Sequence, residues 1–381
     1  MMSRTLSAAG LSLLGLLILV TAALWHYDGN VSALLHMDAT FGTDQGVASG
    51  VVLYTDGGYD GMAYYQIARD VPALFFGGEI TFDSPYRFQR ILFPLLGFLL
   101  SLGQDEWLPL AFLVINLLAA IGSFLLLTSI TKKVNVHTLT VLWNPAILVG
   151  LLFSLTEPVS IFFILLFFWL FERSGRRIDL ASVLALTLSL LARETTIFLI
   201  VLLGLWFLWK RQWKDALYLA LPILLMFGWQ VFLEIRFGDI GFQANNNVID
   251  PPFVGVWYAL QWAMTEQGIQ QMYRFSSLAL LAVVLPLFVL LSRDWLRKRT
   301  RIGLLPFLLS GLTVTMLCMD SHMWGVITSI GRVVTPFYPV YALFASERDS
   351  GALRLLSLLL ILVSCTAAIG IAWQMHPYIL S

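Results

Sequence analysis

The sequence predicts an all-α polytopic membrane protein of about eleven transmembrane helices, with a long first outer loop that contains interfacial helices. Three observations predict it. Of the 381 residues, 59% are hydrophobic and only 12% charged, against about 45–50% and ~25% in soluble domains, and the mean hydropathy is +0.82. Apolar runs near the ~20 residues that cross a bilayer recur along the chain. The basic residues between them fall in alternate connections, the positive-inside pattern. Lys+Arg and Asp+Glu number 23 each, so no basic field favours nucleic acid. Cys318 and Cys365 sit apart in apolar runs and read as small buried hydrophobes rather than a disulfide or zinc pair.

In order, the first run extends from about Leu6 to Leu24 behind Arg4 and reads as an uncleaved first span. Others follow at about 107–131, 136–153, 157–172, 178–192, 195–209, 216–236, 275–292, 302–319, 327–345 and 352–374. With the N-terminus cytoplasmic, the cytoplasmic connections carry Lys132 and Lys133, Arg173, Arg176 and Arg177, then Lys210, Arg211 and Lys214. The cluster Arg293, Arg297, Lys298, Arg299 and Arg301 follows, and finally Arg348 and Arg354. The C-terminus then lies outside. Most acidic residues fall at the outer ends, where chemistry is to be sought.

The twelve-residue run Ile91 to Leu102 is too short to span and is expected as a helix at the outer interface. The run 178–209 must break at Arg193-Glu194, or Lys210 and Arg211 would fall outside. Each arm is then about 15 residues, ~22 Å of helix against a ~30 Å core, so its outer tip lies below the membrane surface. The equally tight turn before Glu157 puts that residue at similar depth. Charge there requires a wet cavity or a protein partner, which predicts an outward-facing cavity floored by Glu157, Arg193 and Glu194.

The chain reads as one integral membrane domain, 1–381, with a first outer loop at 26–106 and a second at 237–274 that includes Asn245, Asn246 and Asn247. The first loop contains Asp56, Asp60, Tyr64 and Tyr65. Asp60-Gly61 precedes a helix-compatible segment, so one reading makes Asp60 an N-cap. The other makes it a general base on an acceptor hydroxyl, beside tyrosines able to stack on or bond a sugar; Asp56 reads as a turn residue. Arg87 and Arg90 share a helical face and can clamp one anion, or else meet lipid headgroups. Arg332 lies a few positions into a span and needs a partner: a substrate, or Glu157 or Glu194. His322, beside Asp320, is a proton-carrier candidate or a plain loop residue, and no metal site is expected.

These patches resemble a known family. Asp60-Gly61-x-x-Tyr64-Tyr65-x-Ile67-Ala68, followed by Arg87-x-x-Arg90-Ile91-Leu92-x-Pro94-Leu95-Leu96, is similar to the C-type membrane glycosyltransferases, specifically bacterial relatives of the GPI mannosyltransferase II group. Asn144-Pro145-Ala146, Ser154-x-Thr156-Glu157-Pro158, Ala192-Arg193-Glu194-Thr195 and Arg332 with Pro336 and Pro339 resemble further segments of it, although Glu194 stands where the group has a small or amide residue. The resemblance implies a C-type fold and an inverting hexosyltransferase. It would move a sugar, often mannose, from a polyprenyl-phosphate donor to a lipid or glycan acceptor at the outer face of a bacterial inner membrane. By that carry-over Asp60 is the catalytic base, and Arg87, Arg90 and Arg332 bind the donor phosphate. Asp56, Tyr64, Tyr65, Glu157, Arg193, Glu194 and His322 are sugar- or acceptor-side candidates. No cofactor is implied beyond the donor substrate, and membrane lipids are the remaining partners.

A different class remains open. A lipid or small-molecule transporter or flippase would use the same charges to hold an anionic headgroup, but it favours charges along a path to both faces, and these cluster at outer ends. A noncatalytic assembly partner would tolerate Asp60→Asn.

Overall fold

A lipid-facing backbone must satisfy its own hydrogen bonds, and long apolar runs do so as helices. The computed structural model describes residues 2–374 apart from 45, 56, 83, 84, 239–248, 266, 268 and 298–302. It is 77% helical. The one sheet among the described residues pairs two-residue strands, Met37–Asp38 and Leu53–Tyr54, so the class is all-α.

Among the described residues, four helices are long and apolar enough to cross a membrane: Ser3–Tyr27, Asp105–Thr131, Trp213–Phe237 and Gly351–Trp373. The other apolar runs fold into shorter pieces. Run 136–153 divides into Val136–Leu139 and Pro145–Leu152. The break is local chemistry: the Asn144 side chain donates to the Thr140 and Val141 carbonyls and accepts from the Ile147 amide at 3.2 Å, capping the second piece. Pro145, at the start of that piece, has no amide hydrogen to lose. Run 327–345 likewise divides into Ile327–Val333 and Phe337–Arg348, before Pro336. Asn245 to Asn247 and Lys298, Arg299 and Arg301 lie outside the described residues.

The break at Arg193-Glu194 is present, between helices Leu180–Ala192 and Thr196–Trp209. With 13 and 14 residues, the two arms are ~20 Å long. A triangle of buried hydroxyls ties their tip to the neighbouring helix Glu157–Arg173. Ser160 Oγ lies 2.9 Å from Ser189 Oγ and 3.1 Å from Thr196 Oγ1, which are themselves 2.9 Å apart. Each hydroxyl can donate one bond and accept another, so three polar groups are accommodated in an apolar interior. Glu157 and the Arg193-Glu194 turn are thereby held side by side.

The first loop is ordered by its own polar contacts. Helix Asp60–Phe76 carries buried Asp70, whose carboxylate accepts from the Thr81 hydroxyl at 2.8 Å and the Phe82 amide at 2.9 Å. That brings the following segment back and places the short helix Pro85–Phe88 and Arg90 beside the start of Asp60–Phe76. The short run after Arg90 is helical over Leu92–Leu100.

Candidate functional site

Asp60 is the first helical residue of Asp60–Phe76. Its N-cap is Tyr59, in extended conformation, and there is no side-chain cap bond. The capping reading therefore falls, because the carboxylate is engaged elsewhere. Its Oδ1 accepts from Arg87 Nη1, and its Oδ2 accepts from Arg332 Nη2 at 2.8 Å and lies 3.5 Å from Arg90 Nη1. Arg87 and Arg90, three apart, do converge on one anion, and the anion is Asp60.

Two glycines make this convergence possible. A Cβ on Gly61 would stand 2.3 Å from the Phe153 carbonyl oxygen and 2.8 Å from that of Leu35. Only a bare backbone lets the start of the Asp60 helix approach so closely. A Cβ on Gly331 would meet Pro145 Cβ at 2.5 Å, so the helix that carries Arg332 sits directly on Pro145–Leu152.

The arginines are fastened on their far sides. Arg332 donates from Nε to Glu157 Oε1 at 2.8 Å and from Nη1 to the Tyr59 hydroxyl at 2.6 Å. Arg90 donates from Nε and Nη2 to the two Glu194 oxygens at 2.7 and 2.6 Å, from Nη1 to Tyr64 at 2.9 Å and from Nη2 to Tyr86 at 3.1 Å. Arg193 Nη1 lies 3.3 Å from Glu157 Oε1. Four guanidinium groups thus meet three carboxylates, leaving one positive charge in excess. Burial opposes charge on Asp60, but Arg332, Arg87 and Arg90 outweigh it and hold the carboxyl far below the usual carboxylate range. Burial likewise opposes charge on Glu194, and Arg90 with Arg193 brings it down to about 2.

Much of this network lines a cavity of about 500 Å³. Tyr59, Asp60, Tyr86, Arg87, Arg90, Arg193, Glu194 and Arg332 are its polar lining; Leu190, Ile197, Phe198, Met226, Met319 and Val333 are among the apolar residues that line it too. Such an amphipathic hollow suits a ligand with a charged head and a hydrocarbon body.

Not every expected residue reaches it. Glu157 is fully buried behind Arg332 and Arg193 and floors the network without lining the cavity. Tyr64 supports Arg90 from behind, and Tyr65 lies beneath Arg69, with the guanidinium carbon 5.9 Å from its ring centre. His322 is also absent from the lining, its ring 5.7 Å from that of Trp262; Asp320 beside it N-caps a single turn by accepting from the Met323 amide at 2.8 Å. Asp56 lies outside the described residues. Sequence reasoning passed over Tyr59 and Tyr86. Their signals were adjacency to Asp60 and the one-turn spacing of Tyr86 from Arg90, which stacks its guanidinium 5.4 Å from that ring. Among the described residues, no group of three or more His, Cys, Asp or Glu side chains could hold a metal ion.

Fold and site together describe a helical membrane protein with a cavity lined by both charged and apolar side chains. Comparison of the chain with protein-family models, curated proteins and solved structures finds no match.

Proposed function

We propose that this protein is a glycosyltransferase of the C-type membrane class that moves a sugar, mannose in the first instance, from a polyprenyl-phosphate carrier to an acceptor hydroxyl at the outer face of a bacterial inner membrane. One observation carries the reading. Two carboxylates, Asp60 and Glu194, and four arginines share a single cavity with a set of apolar side chains. The arginines suit the phosphate, the apolar side chains suit the isoprenoid, and the Asp60 carboxylate suits a hydroxyl proton.

In this scheme Arg87, Arg90 and Arg332 hold the phosphate, while Arg193 and Glu194 orient the sugar. The acceptor oxygen attacks the anomeric carbon from the face opposite the phosphate, and the bond from that carbon to the phosphate oxygen breaks with its electron pair. Polyprenyl phosphate departs, and the acceptor proton passes to Asp60. A positioned base of this kind contributes about 10²–10⁴ in rate.

The test is sugar transfer in nanodiscs from synthetic polyprenyl-phosphate mannose and glucose, comparing wild type with Asp60→Asn. Release of polyprenyl phosphate by wild type, reduced by about 100-fold or more in the variant, supports both donor class and base. Retained turnover in Asp60→Asn refutes the base assignment. No release from either donor by folded wild type, across a varied acceptor panel, refutes the transferase reading and brings forward transport of an anionic lipid.

A further inference from the structure

The proposed base is engaged by three arginines, an awkward state for a group that must accept a proton. We infer that the Asp60 carboxylate stands in for the donor's phosphate, and that the arriving phosphate takes its place against Arg87 and Arg332 and turns Asp60 toward the acceptor. The inference deepens the glycosyltransferase reading and rests on it.

Three features point to exchange at Asp60. The nitrogens that face it come from three separate places in the chain: the helix Pro85–Phe88, the turn at Arg90 and the helix Ile327–Val333. Next, Arg332 is anchored by its other nitrogens to Glu157 and Tyr59, and Arg90 by its other nitrogens to Glu194 and Tyr86. These two would keep their places if Asp60 swung away, so that part of the receptor is preformed, while Arg87, which faces Asp60 from the cavity lining, closes on whichever anion is present. Finally, the carboxylates differ in access. The Glu157 side chain is 0% exposed and Asp60 18%, and Asp60 lies on the cavity wall without capping its own helix. A phosphodiester matches a carboxylate in what these arginines read, a single negative charge over two terminal oxygens.

A site occupied by its own side chain binds ligand more weakly by the fraction of time it is open. Removing the occupant should therefore strengthen phosphate binding while turnover disappears, which a merely structural aspartate would not do. The experiment measures the affinity of a farnesyl phosphodiester, farnesyl methyl phosphate, for the full-length protein in nanodiscs, in wild type, Asp60→Asn, Asp60→Ala and Glu194→Gln. Glu194 lines the same cavity, is equally exposed at 18% and removes the same charge, so it controls for simple electrostatics. The expected result is tightening by about tenfold or more in both Asp60 variants, and clearly less in Glu194→Gln. Wild-type or weaker affinity in both Asp60 variants, each shown folded by gel filtration, would overturn the inference. Equal tightening in Glu194→Gln would overturn it too, as an effect of net charge. Binding by none of the four proteins would instead refute the polyprenyl-phosphate reading underneath.

Discussion

Glu157 offers the sharpest energetic test, because it is the fully buried carboxylate beneath the arginines. Its Oε1 accepts from Arg332 Nε at 2.8 Å and lies 3.3 Å from Arg193 Nη1, and its side chain is 0% exposed against 7% for Arg332. Solvent screening therefore gives little discount. Removing one member of a buried ion pair costs about 3–5 kcal/mol, chiefly because the remaining charge is left unpaired. Glu157→Gln keeps the shape and a neutral acceptor worth about 1 kcal/mol, so the expected destabilisation is about 2–4 kcal/mol. Arg332→Met removes the other partner. If the two residues act as a pair, the double variant is less destabilised than the single effects summed, by about 2 kcal/mol. Equilibrium unfolding in SDS mixed micelles, followed by the fluorescence of the 13 tryptophans, measures all four corners of the cycle. Additivity to within about 0.5 kcal/mol would refute the claim that Glu157 anchors Arg332.

Other outcomes follow from the same geometry. Gly61→Ala forces a methyl to within 2.3 Å of the Phe153 carbonyl oxygen; a loss of about 1–3 kcal/mol is expected, together with reduced transfer, and wild-type unfolding would contradict the close approach. Gly331→Ala, against Pro145 Cβ at 2.5 Å, should behave similarly and lower farnesyl methyl phosphate affinity by displacing Arg332. Because the Glu194 carboxyl is held below its ordinary value of 4.5, its stabilisation is complete above that value and is lost as pH falls through the folded-state value. The stability difference between wild type and Glu194→Gln should hence be constant above about pH 5.5 and shrink below about pH 4.5; a difference that grows on acidification would reverse the sign of the argument.

Much of the fold was legible because hydropathy is local. The four long helices coincide with runs read directly from the sequence, and the break at Arg193-Glu194 followed from charge parity before any packing was considered. The divisions at Asn144-Pro145 and Pro336 were misjudged as continuous helix, although the signals were present: an amide side chain before proline, and proline itself. Asp60 was ambiguous for a physical reason. An aspartate at a helix start can cap or bind, and the choice depends on which cations packing brings to it.

The sequence by itself determined a helical membrane class, the depth-limiting short arms and the residue types able to handle an anion and a proton, since each depends on a stretch of neighbouring residues. Only the tertiary structure decided their partners. Arg332 meets Asp60 across 272 positions and Glu157 across 175, and those meetings depend on Gly61 clearing the Phe153 and Leu35 carbonyls and Gly331 clearing Pro145. Charges far apart in a chain find one another through the fit of surfaces between helices, a property that no local window of residues contains.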